Sequence, residues 1–549
     1  MATETVGQIA ARIAESDARA VYNQTFVMFA DGMPDRAAAI RLARMDGDDD
    51  PDAPAVSVEV SGAAIEALKH TDPRNAVRSS GDGDPAPKMR QANLYSRIHE
   101  QPKDKPFFSP DEATLRALAS AMRNDTSAQA LSDIPAAYTY LGQFVAHDMT
   151  WMKPSADPER PINLRTHALD LDSVFGPVEE ALDGDYRIVD GIPIGSTSAG
   201  RFEDLPRTRT GVPCIADKRN DNNLVLSQLT AAIMRFHHLL CRLTPAQSSA
   251  DQRQITRRHI QSVVLHDYLG RIIHPDVHDD IMNEGRKVIY PGGVPPLFQV
   301  PIEFAAACFR FGHSMVRDTY AWTRNPGDWL GETIRRQSHL LSINANRPRL
   351  DDLWTITWTD FLGFPNSQPL MTAAAVGGRI SADLRSLDRQ WVEFDPGIPI
   401  ADTATPNLAE LTLARGRHLG LPSGQMLQQF LSKTIGTGAA GAPAIAISLA
   451  SLARGPGQRV GLDGKQISEI EENTPLWFYV LREAEAYRAS HGTLGPMASR
   501  IVMETIHAAI EADGDGILRG GAFASLPALG AQNAAEFHLG DLITAIAAA

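Results

Sequence analysis

Cysteine is scarce: Cys214, Cys241 and Cys308 are the only three in 549 residues. An odd number in apolar surroundings fits buried free thiols in a reducing compartment better than a disulfide framework. Basic runs are missing too. Lys and Arg total 52 against 66 Asp and Glu, a formal charge of −14. No stretch supplies the positive footprint that a nucleic-acid partner needs. Long hydrophobic runs are also absent. The longest small-apolar stretches, Gly441 to Ala453 and Leu542 to Ala549, are too short or too Ser-interrupted to span the roughly 30 Å of a bilayer. No transmembrane segment is expected. Residues 1–30 show no basic segment leading into a long apolar one, so no secretory signal is visible. The expected location is the cytoplasm, or outside the cell by a route without a recognisable signal.

What is present reads as a folded protein, with 43% hydrophobic and 21% charged residues. The stretches Asp46–Pro54 and Ser79–Pro87 combine acidic charge with Gly and Pro, which cannot bury apolar area. Residues 1–90 therefore read as an extension with exposed linkers, and 91–549 as the main domain. Within the extension, Val6, Ile9 and Ile13 predict an amphipathic helix over 1–20. Beyond residue 90 helical patterns dominate: 110–123, 135–147, 224–243, 252–269, 302–316, 406–413, 425–435, 474–488 and 495–512. Strand-like alternation is rare, so the fold class is mainly α. The stretch 224–243 carries Leu226, Leu229, Ile233, Phe236 and Leu240 at three- and four-residue steps, a stripe that must face a core.

Two familiar motifs fail on context. Gly436-Thr-Gly-Ala-Ala-Gly441 lacks the preceding strand and following helix of a dinucleotide site and reads as a helix stop or loop. Asp513-Gly-Asp-Gly516 has Ile517 where a calcium-binding EF-hand needs an acid. H-E-x-x-H, G-x-S-x-G and C-x-x-C do not occur, which removes the usual zinc, α/β-hydrolase and thiol-redox readings.

Three segments place chemistry-bearing side chains in apolar helical surroundings. Tyr138 to Trp151 carries Gln143 and His147, four apart and hence on one helical face. Ala216 to Leu229 carries Arg219 just before the long striped helix, and Ala307 to Arg317 carries His313 directly after Gly312, which allows a large group close approach. Taken singly, each histidine reads first as a packed, hydrogen-bonded core residue.

Together, and in this order, the segments resemble the distal, arginine and proximal motifs of the animal-type haem peroxidases, the peroxidase-cyclooxygenase superfamily of myeloperoxidase, lactoperoxidase and many bacterial relatives. The resemblance spans roughly residues 90 to 515 and includes Asn407 to Gln425. It implies a multi-helical fold with haem between core helices. It further implies that His147 is the distal histidine, Arg219 the distal arginine, Gln143 the distal glutamine and His313 the axial iron ligand. Arg415 matches an arginine that pairs with a haem propionate, and Thr412 stands where the family has an Asn bonded to the proximal imidazole. The stretch Leu164 to Gly176 resembles the family's calcium loop, with Asp148, Thr166, Asp170, Asp172 and the carbonyl of Ala168 as the implied oxygen ligands.

The implied activity is reduction of hydrogen peroxide and oxidation of small electron donors, such as phenols, iodide or bromide, through an oxoferryl intermediate. Vertebrate members ester-link haem through an Asp and a Glu at positions that hold Ala146 and Asn222 here, and Asn223 replaces a linking Met. Asp221 is one position off. A non-covalent haem b is therefore expected. The alternatives are a fatty-acid dioxygenase or cyclooxygenase of the same superfamily, against which Arg310 replaces the radical-forming Tyr three residues before the proximal His, and a haem-binding or adhesive protein without turnover. Oligomeric state is not legible.

Overall fold

The computed structural model describes residues 37–42 and 56–61 and, within 94–549, all but 101–106, 123–129, 154–160, 179–181, 183, 324–332, 338–348, 364–370, 382–383, 385–406, 437–446, 450–460 and 492–493. The helix expected over 1–20 and the acidic stretches 46–54 and 79–87 lie outside the described residues. The chain divides into two units, Met1–Gln91 and Ala92–Ala549. In the first, β1 (Ala37–Leu42) pairs antiparallel with β2 (Val56–Ser61), Ala37 opposite Ser61.

The second unit is mainly helical. Its described strands make only two-stranded antiparallel pairs, such as Leu131–Pro135 with Thr372–Ala374 and Tyr186–Val189 with Ile192–Gly195. Seven helices position the site: α1 (Ala137–Met149), α2 (Leu224–Leu243), α3 (Ser249–Ser262), α4 (Gly312–Met315), α5 (Leu408–His418), α6 (Leu476–His491) and α7 (Pro496–Ala512).

Helix α2 has the bounds that its stripe predicts. Asn223 caps it by accepting the Leu226 N–H at 2.9 Å, and Leu226, Leu229, Phe236 and Leu240 are wholly buried. At about 1.5–3 kcal/mol for each such side chain, core burial rather than intrinsic propensity holds α2 in place. It is also the one helix among the described residues long and apolar enough to cross a membrane, and nearly all of it is buried against the rest of the unit. Helix α3 starts three residues before the expected Gln252, because Ser248 and Asp251 form a reciprocal capping box. The chain then continues through a π-turn, Val263–Tyr268, into Leu269–Ile272.

The helix expected over 302–316 is not continuous. It breaks at Ala307 (φ −139°, ψ −66°) into Ile302–Ala306, a 3-10 turn Cys308–Phe311, and α4. The apolar spacing satisfies the core without one unbroken hydrogen-bond ladder, so pattern alone cannot locate the break. Helix α5 runs past the expected Leu413 to His418.

Helix α1 packs against α2 and α4, and α5 packs against α6. The contact of α1 with the segment after α3 requires a glycine: any Cβ on Gly142 would run into the Tyr268 hydroxyl. Gly436 ends the helix Gly424–Ile435 with φ +80°, which accounts for the start of the glycine string as a helix stop. All three cysteines are free and buried.

Candidate active site

The last turns of α1 carry Gln143 and His147 on one face, as their spacing requires. His147 Nδ1 lies 2.9 Å from Oδ1 of Asn220, a fully buried side chain in the 3-10 turn Lys218–Asp221. Because Asn220 presents its carbonyl oxygen, Nδ1 carries the proton and Nε2 keeps its lone pair. Burial, then the neighbouring Arg219, lowers the His147 pKa to about 3. The ring is neutral at ordinary pH.

Asp217 organises the turn. Its side chain accepts the Arg219 backbone N–H at 3.0 Å and holds the Arg219 guanidinium through Nε at 3.0 Å and Nη2 at 2.7 Å. The same guanidinium donates to two carbonyls at the C-terminus of α1, those of His147 at 2.8 Å and Thr150 at 2.9 Å. Arg165 also donates to Asp217. Burial alone would raise the Asp217 pKa, but Arg219 and Arg165 outweigh it and hold the carboxyl well below the usual range. Trp151 packs against both guanidinium groups, at 4.7 Å for Arg219 and 5.1 Å for Arg165. Arg219 is thus fastened beneath the backbone of His147. Gln143 Oε1 accepts from Asn223 Nδ2 at 3.0 Å, tying α1 to the cap of α2.

Asp221 is committed elsewhere. It accepts two hydrogen bonds, both 2.7 Å, from the buried Arg207.

His313 lies on α4, reached by α1 through direct packing. A Cβ added at Gly312 would meet no atom within 4 Å, so the space beside His313 is open. The Thr412 hydroxyl donates to Leu408 O at 2.7 Å and therefore turns a lone pair toward His313 Nδ1, 3.5 Å away. That arrangement favours hydrogen on Nδ1. The Trp477 ring sits edge-on to the imidazole at 5.9 Å and donates Nε1–H to Arg310 O at 3.0 Å. Arg415, buried, follows Thr412 by one helical turn on α5. Arg310 donates Nε to Ala305 O at 3.0 Å.

Asp148, next to His147 on α1, gathers with Asp170 and Asp172, with one carboxylate oxygen of each within 4.8 Å of the others. Asp148 is fully buried, accepting from Ser173 N (3.1 Å), Ser173 Oγ (2.6 Å) and Leu171 N (2.9 Å). Burial and the charge of Asp148 push Asp170 up to about 7, with the Thr166 hydroxyl pulling the other way. Arg165 reaches Asp172 at 3.4 Å and offsets one of the three charges, and hard oxygen donors at this spacing suit calcium. Ala168 is buried in the same loop, and Thr166 is exposed.

The sequence-based residues thus fall into a His147–Gln143–Arg219 group, a His313–Thr412–Arg415 group on elements packed against one another, and an acidic group attached to the first. Sequence reasoning missed Asn220, Asp217, Arg165 and Trp477. Only Asp217 left a signal, as an Asx-type cap two residues before Arg219.

His147 and His313 thus stand on helices that pack against one another in a mainly helical unit. The chain belongs to the animal haem peroxidase family, whose model matches residues 102–432, and that membership implies haem. Among solved structures it is similar to peroxidase A from Dictyostelium discoideum (15% identity, 79% of this chain and 90% of that one, TM-score 0.47). It is similar also to the fatty acid alpha-dioxygenases of Oryza sativa (14%, 84% and 86%, 0.49) and Arabidopsis thaliana (12%, 78% and 79%, 0.47). No curated protein matches the sequence.

Proposed function

We propose that this protein is a peroxidase that binds haem b without covalent links, reduces hydrogen peroxide and oxidises small donors such as phenols, iodide or bromide. The observation that carries the reading is the His147–Asn220 hydrogen bond, which presents a neutral, unprotonated Nε2 from a buried ring. When bound, haem supplies the iron at which the O–O bond of peroxide is cleaved.

His147 Nε2 takes the proton from one peroxide oxygen and returns it to the other, so that water leaves. Asn220 keeps the ring in the tautomer that can do this. Arg219 acts from beneath: its charge disfavours imidazolium and stabilises negative charge that develops nearby. Gln143, one turn from His147, orients peroxide through its amide N–H. With haem bound, His313 would offer Nε2 to iron while Thr412 accepts from Nδ1, and Arg415 would pair with a propionate.

The open space beside Gly312 and the neutral His147 imidazole, protonated on Nδ1, fit the group. Ala146, Asn222 and Asn223 offer no carboxylate or thioether, and Asp221 is engaged by Arg207, which supports non-covalent binding. Calcium held by Asp148, Asp170 and Asp172, with Thr166 and the Ala168 carbonyl, braces the end of α1 that carries His147. Arg310 at the third position before His313 has no phenol to oxidise, which favours peroxidase over dioxygenase chemistry.

The test is the Soret spectrum of the haem-loaded protein, with and without peroxide. A band that shifts on addition and returns when phenol or iodide follows is expected. Failure to take up haem, or a band indifferent to peroxide, overturns the proposal.

A further inference from the structure

At the far end of α2 from His147 lies a cavity of about 200 Å³ that the proposed activity does not use. Arg235, His238 and Arg242 line it from one face of α2, at steps of three and four, and Arg187 lines it from the strand Tyr186–Val189. Arg242 follows the α2 cap by nineteen positions, roughly 28 Å along the axis, so the cavity is remote from the Gln143–Asn223 contact.

Its charge is opposite to that of the chain. Arg235 is 3.4 Å from Glu203, the one carboxylate side chain on the wall, which Arg201 also reaches at 3.4 Å. Arg187 and Arg242 have no ion-pair partner among the described residues. Arg187 instead stacks over Phe202 at 4.3 Å, which leaves the in-plane N–H groups of its guanidinium for another acceptor. His238 donates Nε2–H to Ile192 O at 2.8 Å, and its Nδ1 is not used by that bond. Burial, with Arg187 and Arg242 close by, lowers its pKa, so the ring adds no charge of its own. Buried Ile194, Leu239 and Ile546 make the apolar part of the wall, and Ala549, exposed, lines it as well.

We infer that this cavity binds an organic phosphate monoester, its dianion between Arg187 and Arg242 and its apolar body against Ile194, Leu239 and Ile546. Two unpaired guanidinium forks match a dianion in charge and a phosphate in geometry. An apolar floor adds nothing for inorganic phosphate, and guanidinium groups add nothing for a neutral body, so both halves of the ligand are required. The site goes beyond the peroxidase reading and stands without it.

Isothermal titration of the full chain with phenyl phosphate tests the inference, with phenol and inorganic phosphate as the half-ligands. Phenyl phosphate is expected to bind at least tenfold more tightly than either. Arg187→Gln and Arg242→Gln are each expected to weaken it by about tenfold, the scale of one charge-assisted contact. The Soret spectrum and the response to peroxide stay unchanged in both variants, which separates this outcome from any failure of the peroxidase reading. Binding of phenyl phosphate no tighter than phenol, or undiminished in the Arg187→Gln, Arg242→Gln double variant with unchanged circular dichroism, overturns it. A preference for phenylacetate over phenyl phosphate also overturns it, because the site then reads one negative charge.

Discussion

His147 and Asn220, seventy-three positions apart in the chain, meet through a 2.9 Å hydrogen bond between Nδ1 and Oδ1. That bond decides which imidazole nitrogen can accept a proton. Replacing Asn220 by Leu is expected to slow the first spectral change after mixing with peroxide by about 5- to 10-fold, the scale of one hydrogen bond. His147→Ala is expected to slow it by about 10²–10⁴-fold, the range of general acid–base catalysis. Haem binding should persist in both. Stopped-flow mixing is the measurement, and a His147→Ala variant as fast as the parent sinks the assignment.

The pH profile of the same step follows from the direction of the His147 shift. An imidazole accepts a proton only while neutral, and burial together with Arg219 lowers its pKa from 6.5 to about 3. The rate constant should therefore be flat from pH 8 down through 6.5 and fall only as pH approaches 3. An ordinary histidine loses half its base form at 6.5. Half-loss near that value, measured by pH-jump stopped flow, would contradict a buried neutral His147.

Thr412 offers the acceptor for His313 Nδ1. Thr412→Val keeps the shape and removes the lone pair, so the imidazole becomes a weaker donor to iron and the ferric form is less stabilised. The expected outcome is an intact Soret band with a reduction potential shifted upward in a spectroelectrochemical titration. An unchanged potential shows that the 3.5 Å contact has no influence on the ligand.

Calcium removal should act on both stability and the site. An ion held only by the folded state at about 100 times its Kd contributes about 2.7 kcal/mol. Stringent chelation is expected to lower Tm and slow the peroxide step, and Asp170→Asn should reproduce both effects. If calorimetry and stopped flow register no change on chelation, the acidic group holds no ion.

Haem should leave the denatured chain on acid–organic extraction, since Ala146 and Asn222 cannot form esters and Asp221 is held by Arg207. Haem that stays with the polypeptide on mass spectrometry shows a bond that these residues do not explain.

By itself the sequence determined the helical class, the bounds of α2, the shared face of Gln143 and His147, and the order of the peroxidase motifs. These are local properties: a stripe of period 3.6 and a four-residue spacing each act within a few residues. Tertiary structure alone decided the break at Ala307, the seating of Arg219 under the His147 carbonyl, the tautomer set by Asn220 and the capture of Asp221 by Arg207. Each depends on segments brought together from distant parts of the chain, or on backbone angles that core packing selects. The cationic cavity belongs to the same group, because Arg187 and Arg242 become neighbours only when the Tyr186–Gly195 hairpin packs against α2.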